Sequence, residues 1–376
     1  MGAVTGCVCE SHTFQYPGRE RGDMDERRRE FLEELLATAT PSGYETPGQR
    51  VWVEYVEEFA DEVRVDDYGN AVAVYEGSAD TAFALAGHGD EIGFIVREFT
   101  DGGFLRIGRV GGSDKTVSQG QHVRVHTADG PVAGVIGQTA IHLRDSDEDG
   151  TTDIEDQYVD VGADDEETAA ELVEVGDPVT VVQQVHDLAG GRLTARGMDN
   201  RIGTWAAAEG LRRAVERDAD ATVYAVSTVQ EEVGLKGAQM VGFDLAPDAV
   251  IATDVTHATD SPGVPSGKST GVELGAGPVV ARGSANHPAL VTATREVADG
   301  EGIDIQLQAS GSRTGTDADA FYTARGGIPS LNVGLPNRYM HTPVEVVDTA
   351  DLDALASLLG AVAAAADDYA PFGVDL

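Results

Sequence analysis

Seven side chains of the kinds that bind divalent ions or move protons fall in five short segments of this 376-residue chain. The segments read HGDEIGF from His88, MDNRIG from Met198, QEEVG from Gln230, ATDVT from Ala252 and MHTP from Met340. In order they supply His88, Asp90, Asp199, Glu231, Glu232, Asp254 and His341. Imidazoles mixed with carboxylates suit a pair of divalent ions, zinc, cobalt or manganese, and leave acids over for proton transfer. The chemistry predicted is hydrolysis assisted by two metals.

The elements that must position these groups are legible around them. TAFALAG, residues 81–87, is an apolar run of strand length, and His88 and Asp90 follow at its carboxyl end, where open α/β sheets build their sites. VYAVSTV (223–229) precedes Glu231 and Glu232 in the same way, and AVIAT (249–253) precedes Asp254. Asp199 stands just ahead of a helix predicted from about Ile202 to Arg217. His341 follows SLNVGL and the turn-rich PNRYM, so it is expected on a loop.

Taken singly, each group has a plainer reading. An Asp after a strand most often caps a helix or forms a turn, a lone His is more often a surface or core residue, and adjacent glutamates are ordinarily solvated. Seven such residues, with three strand ends delivering most of them, favour the joint reading.

The segments together resemble the tetrahedral aminopeptidases, a family of co-catalytic metallopeptidases that includes glutamyl and deblocking aminopeptidases. The likeness runs from PSGYE at Pro41 through HGDEIGF, the DNR of Asp199–Arg201, QEEVG, DVT from Asp254 and GTDA from Gly315 to MHTP, nearly the whole chain from Met24. It implies that Asp199 bridges two ions, with His88 and Asp254 completing one site and Glu232 and His341 the other. It implies further that Glu231 is the general base and that Asp90 orients the His88 imidazole. Two considerations agree with this division. Neighbours on an extended chain point opposite ways, which separates Glu231 from Glu232, and a ligating histidine usually gives its second N–H to a carboxylate. The implied fold is a three-layer α/β/α catalytic domain with a central mixed sheet, plus an inserted small β-barrel-like dimerisation domain. The implied activity is removal of N-terminal residues from short peptides by dimers assembled to a twelve-subunit shell, with zinc or cobalt expected and manganese admissible.

Two other enzyme classes use related groups. A metal-dependent deacylase of small N-acyl compounds has an almost identical metal centre, and PSGYE with QEEVG favours the peptidase over it. A glycoside hydrolase of endoglucanase type needs paired carboxylates flanking one bond and neither histidine nor metal, so this set is a poor match for it.

Composition bounds the rest. With 41% hydrophobic residues the chain is long enough for two domains with substantial cores. No apolar run approaches the ~18 residues of a membrane span. Acidic residues outnumber basic ones 65 to 26, for a net charge of −39, and only three lysines occur, Lys115, Lys236 and Lys268. Such self-repulsion disfavours a nucleic-acid partner and points to a salt-loaded cytoplasm, where screening permits a compact fold. Both cysteines, Cys7 and Cys9, lie in residues 1–23, a leader with no apolar signal core. That leader is expected to be disordered, with the fold starting near Met24.

Helical patterns at 25–38 and 47–61 and strands at 63–66 and 70–76 lead into the His88 strand. Between Phe94 and about residue 191 short alternating runs such as FLRIGRV and HVRVHT replace them, predicting the β-rich insertion between catalytic segments 24–93 and 192–376. The acidic stretch from Asp145 opens like a calcium loop but carries Asp156 where the twelfth-position glutamate belongs, so it is expected to be a solvated loop. His122, His126, His142 and His186 are assigned to the insertion and His257 to the surface. Asp317 opens a predicted helix to Thr323, either as its cap or as part of a pocket for the substrate's amino terminus.

Overall fold

The computed structural model describes residues 24–144 and 151–374. The leader with its two cysteines and the opening of the acidic loop, residues 145–150, lie outside them.

The chain enters through helices α1 (Glu26–Ala37) and α2 (Thr46–Val56), then strands β1 (Glu62–Val65), β2 (Ala71–Tyr75) and β3 (Ala82–His88). It leaves this sheet for β4 (Gly93–Phe99), β5 (Leu105–Val110), α3 (Lys115–Ser118), β6 (His122–Thr127), β7 (Gly130–Ile136), β8 (Tyr158–Asp160), α4 (Glu166–Leu172) and β9 (Pro178–Val181). Those six strands close into an antiparallel barrel in the order β4-β5-β8-β7-β6-β9, filled by Phe94, Val96, Leu105, Ile107, Val123 and Val125 among others. Alternation helps make this possible: in β6, Val123 and Val125 face inward while His122 and Arg124 face water.

The barrel closes earlier than the boundary at 191 expected from the sequence. The next strand, β10 (His186–Leu188), pairs with β11 (Arg192–Ala195), which pairs in turn with a strand near the carboxyl terminus. His186 is therefore on this small sheet and not in the barrel, contrary to its assignment from sequence.

After α5 (Met198–Glu216) the chain returns to the first sheet with β12 (Thr222–Thr228), α6 (Lys236–Asp244), β13 (Ala249–His257), β14 (Val279–Arg282), α7 (Pro288–Glu301), β15 (Gln306–Ala309), α8 (Asp317–Thr323) and β16 (Ser330–Asn337). Strand β17 (Glu345–Asp348) joins β11, and α9 (Thr349–Ala364) follows. The main sheet has eight strands in the order β1-β2-β12-β3-β13-β16-β14-β15. Its four central strands run parallel, so β12, β3, β13 and β16 present their carboxyl ends at one edge.

Both faces are covered, which makes three layers. Phe83, Leu85, Val223 and Ala225 pack with α1, α2, α5, α7 and α9, while Ala84, Ala86 and Val226 pack with α6 and α8. The near-continuous apolar reading of these strands follows from burial on both faces.

Helix α5 comes unusually near the sheet. A Cβ on Gly87 would lie 2.4 Å from the backbone carbon of Gly203, so only glycine at the end of β3 lets the helix start reach the strand end. That approach brings Asp199 to His88.

Candidate metal centre

His88 ends β3, buried, beside Thr228 at the end of β12. Its Nδ1 lies 3.2 Å from Asp90 Oδ1, and its Nε2 lies 3.3 Å from Asp199 Oδ1, 3.7 Å from Asp254 Oδ1 and 3.8 Å from Glu231 Oε2. His341, half-buried on the loop after β16, directs Nε2 to Asp199 Oδ2 at 3.2 Å and to Glu232 Oε1 at 3.6 Å. All seven residues singled out in the sequence converge at the carboxyl edge of the main sheet.

Asp199 holds the middle because the backbone is non-helical at Asp199 and Asn200, and regular helix follows them. One carboxylate oxygen faces each imidazole. The sets His88–Asp199–Asp254 and Asp199–Glu232–His341 each bring three donor atoms within 4.8 Å of one another, as does His88–Glu231–Glu232.

Glu231 and Glu232 diverge for a reason other than strand alternation. Strand β12 stops at Thr228, Gln230 adopts φ 55°, and the two glutamates sit in the turn that follows. Asp90 organises this turn: its Oδ1 accepts the Glu231 N–H at 2.9 Å, and its Oδ2 accepts the Glu232 N–H at 3.2 Å and the Ser42 hydroxyl at 2.7 Å. Glu45, the last residue of PSGYE, accepts from Gly43 N at 2.7 Å and from Gln230 N at 3.1 Å. PSGYE thus braces QEEVG. Burial lifts the Glu45 carboxyl to about 7 despite those hydrogen bonds.

The crowding of charge is severe. Burial raises Glu231 to about 9, with Asp254, Asp317 and Asp199 adding repulsion that His88 offsets only in part. Glu232 is raised well above the carboxylate range by burial and by Asp199, and Asp254 reaches about 6 for the same two reasons. Asp199 moves the other way, because hydrogen bonding to His341 and His88 outweighs its burial. Burial opposes charge on His88, but Glu231, Asp254 and Asp199 hold its value well above that of a free histidine. Glu232 Oε1 is buried with no hydrogen-bond partner among the described residues. Buried carboxylates that repel one another, with an unpartnered oxygen aimed inward, fit divalent cations held by N and O donors.

Two buried acids around the centre, Glu345 and Glu91, escaped the sequence reading, and a third, Asp317, was seen there. Glu345, at the start of β17, accepts from Asn337 Nδ2 at 3.1 Å, His341 N at 3.3 Å and Asp199 N at 3.4 Å; its place four residues after His341 was the available signal. Glu91 forms ion pairs with Arg196 and Arg201 and accepts the Thr40 N–H at 2.9 Å. For Asp317, left open between a helix cap and part of a pocket for the substrate's amino terminus, the structure excludes the cap. Thr316 caps α8, and Asp317 is buried, takes a hydrogen bond from Thr228 Oγ1 and is lifted to about 7 by burial.

The cleft over the cluster is walled by Gln308–Thr316, by Val255–His257 and by Met340. His257 is exposed on its rim. His122, His142 and His186 are exposed away from it, and His126 faces Thr180 Oγ1 at 2.8 Å inside the barrel region.

Residues 69–358 match the family described as M42 glutamyl aminopeptidase. The chain is 35% identical to the lysyl aminopeptidase of Pyrococcus furiosus over 86% of its own length and 93% of that protein. Its fold is similar to that of a TET aminopeptidase from a marine sediment archaeon of the Thaumarchaeota, with a TM-score of 0.87, 31% identity and coverage of 93% of this chain and 100% of that one. It is also similar to the Pyrococcus horikoshii TET1 peptidase, described as assembling into a tetrahedron or a large octahedral shell, with a TM-score of 0.80, 32% identity and coverage of 89% and 99%. The sequence motifs, the three-layer fold with its barrel and the strand-end cluster thus converge: this chain belongs to the M42 glutamyl aminopeptidase family and is a metal-dependent aminopeptidase, a hydrolase of peptide N-termini.

Proposed function

We propose that the cluster holds two divalent ions that share Asp199, one with His88 and Asp254, the other with Glu232 and His341. The observation that carries this is the position of Asp199, one oxygen toward each imidazole. When bound, the ions supply the Lewis acidity that makes water nucleophilic near neutral pH and polarises the scissile carbonyl, and the donor set admits zinc, cobalt or manganese.

The chain's own groups do the rest. Glu231 completes neither ligand set that contains Asp199, so its carboxylate is free to take the proton of the attacking water and return it to the leaving amine. Asp90 faces Nδ1 of His88 with its backbone carbonyl at 3.3 Å and its Oδ1 at 3.2 Å, which leaves Nε2 as the donor to the ion, and its carboxylate fixes the backbone of Glu231. Glu345 holds the backbone of Asp199 and His341 together.

The substrates in this reading are short peptides with a free N-terminus. We assign residues 24–92 and 186–374 to the catalytic unit and give the barrel between them the task of pairing subunits, with dimers building a shell of up to twelve. Exposed apolar groups on the barrel support this, notably Ile141 at 71% and Leu143 at 79% exposure. A net charge of −39 supports a salt-rich cytoplasm as the working environment and disfavours nucleic acid as a partner. Among the described residues no helix is long and apolar enough to cross a membrane.

The test is a panel of aminoacyl chromogenic substrates, short peptides and N-acyl amino acids, assayed in high salt before and after chelation. The reading expects cleavage of free N-termini, lost on chelation and restored by zinc, cobalt or manganese. Full activity without metal, or preference for N-acyl compounds, contradicts it.

A further inference from the structure

The two halves of the cluster are built differently. His88 and Asp254 stand on adjacent strands of the main sheet, buried and braced by the catalytic unit alone. Glu232 and His341 stand on loops, and what lies behind them is the barrel. The turn after β5, Gly111-Gly112-Ser113, runs directly against both side chains. A Cβ on Gly112 would fall 2.4 Å from His341 Nδ1 and 2.6 Å from its Cε1. A Cβ on Gly111 would fall 3.1 Å from Glu232 Oε2, 3.2 Å from Glu232 Cβ and 2.7 Å from Ile92 Cγ2.

The turn is fixed in place. Ser113, buried, donates its hydroxyl to the carbonyls of Gly93 at 2.8 Å and Val110 at 3.3 Å, and Gly93 is the first residue of the barrel. Asp114 caps the short helix that follows, accepting from Thr116 N at 2.8 Å. His341 itself has φ 64°, in the left-handed region, and its backbone N–H is held by Glu345. Its ring has Asp199 and Glu232 on the Nε2 side and the Gly112 turn on the Nδ1 side.

We propose that the Gly111–Gly112 turn of the barrel is a positioning element for the Glu232–His341 metal site. Its bare backbone is the wall that holds the imidazole and the carboxylate at ligating distance, so the barrel sets the affinity of one ion of the pair and not of the other. The inserted domain contributes no ligand, yet the second site is incomplete without it. This rests on the reading that Glu232 and His341 hold an ion. By linkage, an ion in that site favours the seated barrel, and a seated barrel favours the ion.

Gly112→Ala tests this, because Gly112 has no positive φ and the added methyl acts through contact alone. Gly137→Ala is the control, in the same barrel with nothing within 4 Å of the new Cβ. Cobalt is titrated into the metal-free full-length proteins in high salt, following bound metal per chain and the visible cobalt spectrum. Wild type and Gly137→Ala should take up two ions with similar profiles. Gly112→Ala should bind the first like wild type and the second about tenfold or more weakly, the loss typical when a ligand's outer partner is disturbed. Should Gly112→Ala fail to fold, Gly112→Ala/His341→Ala decides: removing the ring removes the collision, so the double variant should fold and keep the first ion. Wild-type uptake of two ions together with unchanged uptake by Gly112→Ala overturns this proposal alone. So does equal loss of both ions from a folded Gly112→Ala, or a double variant that still fails to fold. Uptake of fewer than two ions by wild type sinks the two-ion reading instead.

Discussion

One carboxylate ties the proposed base to a ligand: Asp90 Oδ1 lies 3.2 Å from Nδ1 of His88 and accepts the backbone N–H of Glu231 at 2.9 Å. The imidazole proposed to bind the first ion and the turn that carries the proposed base are thus oriented by the same atom. Asp90→Asn should therefore impair both. Metal affinity and turnover are each expected to fall by about 10- to 100-fold, measured by competition with a chromogenic chelator and by steady-state kinetics; a loss confined to metal affinity would separate the two roles.

Glu231 and Glu232 differ in what they are asked to do. Glu231→Gln should keep both ions by elemental analysis and lose on the order of a hundredfold or more in kcat. Glu232→Gln should instead lose one ion. If Glu231→Gln were the metal-depleted variant, the two roles would need exchanging.

Removing the ions leaves carboxylates that repel one another in a buried site. Glu231 is raised to about 9 and Asp254 to about 6. Groups raised in this way bind protons more tightly when folded, so they cost no stability below their unfolded values near 4. The penalty grows as pH rises through the folded values. His88, also raised, acts in the same direction, because its stabilisation is present at low pH and lost as pH rises. Metal-free protein in high salt should therefore lose Tm progressively from about pH 5 to pH 9, while the metal-loaded protein does not. Parallel Tm profiles for the two forms would contradict this.

Glu91 carries the opposite sign. Arg196 and Arg201 overcome its burial and hold it at about 2, below its ordinary 4.5. Its stabilisation is fully present above 4.5 and is lost as pH falls toward 2. Glu91→Gln strands two buried guanidinium groups and should cost about 3–5 kcal/mol at neutral pH, read from denaturant unfolding in high salt. That difference should shrink as pH drops below 4.5.

How much of this was legible in the sequence depended on distance along the chain. Apolar runs of strand length before His88 and Glu231 announced two strand ends, the run before Asp254 announced a strand that continues past it to His257, and two-sided burial made those runs continuous enough to read. The divergence of Glu231 and Glu232 was anticipated on the wrong grounds, since a left-handed Gln230 and the Asp90 cap set it, and neither leaves a periodic signal. Glu91 and its arginines are more than a hundred positions apart, so nothing local marks the pair. The same holds for Gly112 and His341, which meet only because the barrel folds back on the cleft. The end of the insertion was misplaced because β10 is a short exposed strand whose pairing with β11 has no apolar alternation to reveal it.

The most direct measurement of the central claim is anomalous diffraction at the metal edge from crystals of the zinc-loaded protein. The account predicts two peaks per chain, both beside Asp199, one within ligating distance of His88 and Asp254 and the other of Glu232 and His341. A single peak, or an ion held by Glu231 in place of Glu232, would contradict it.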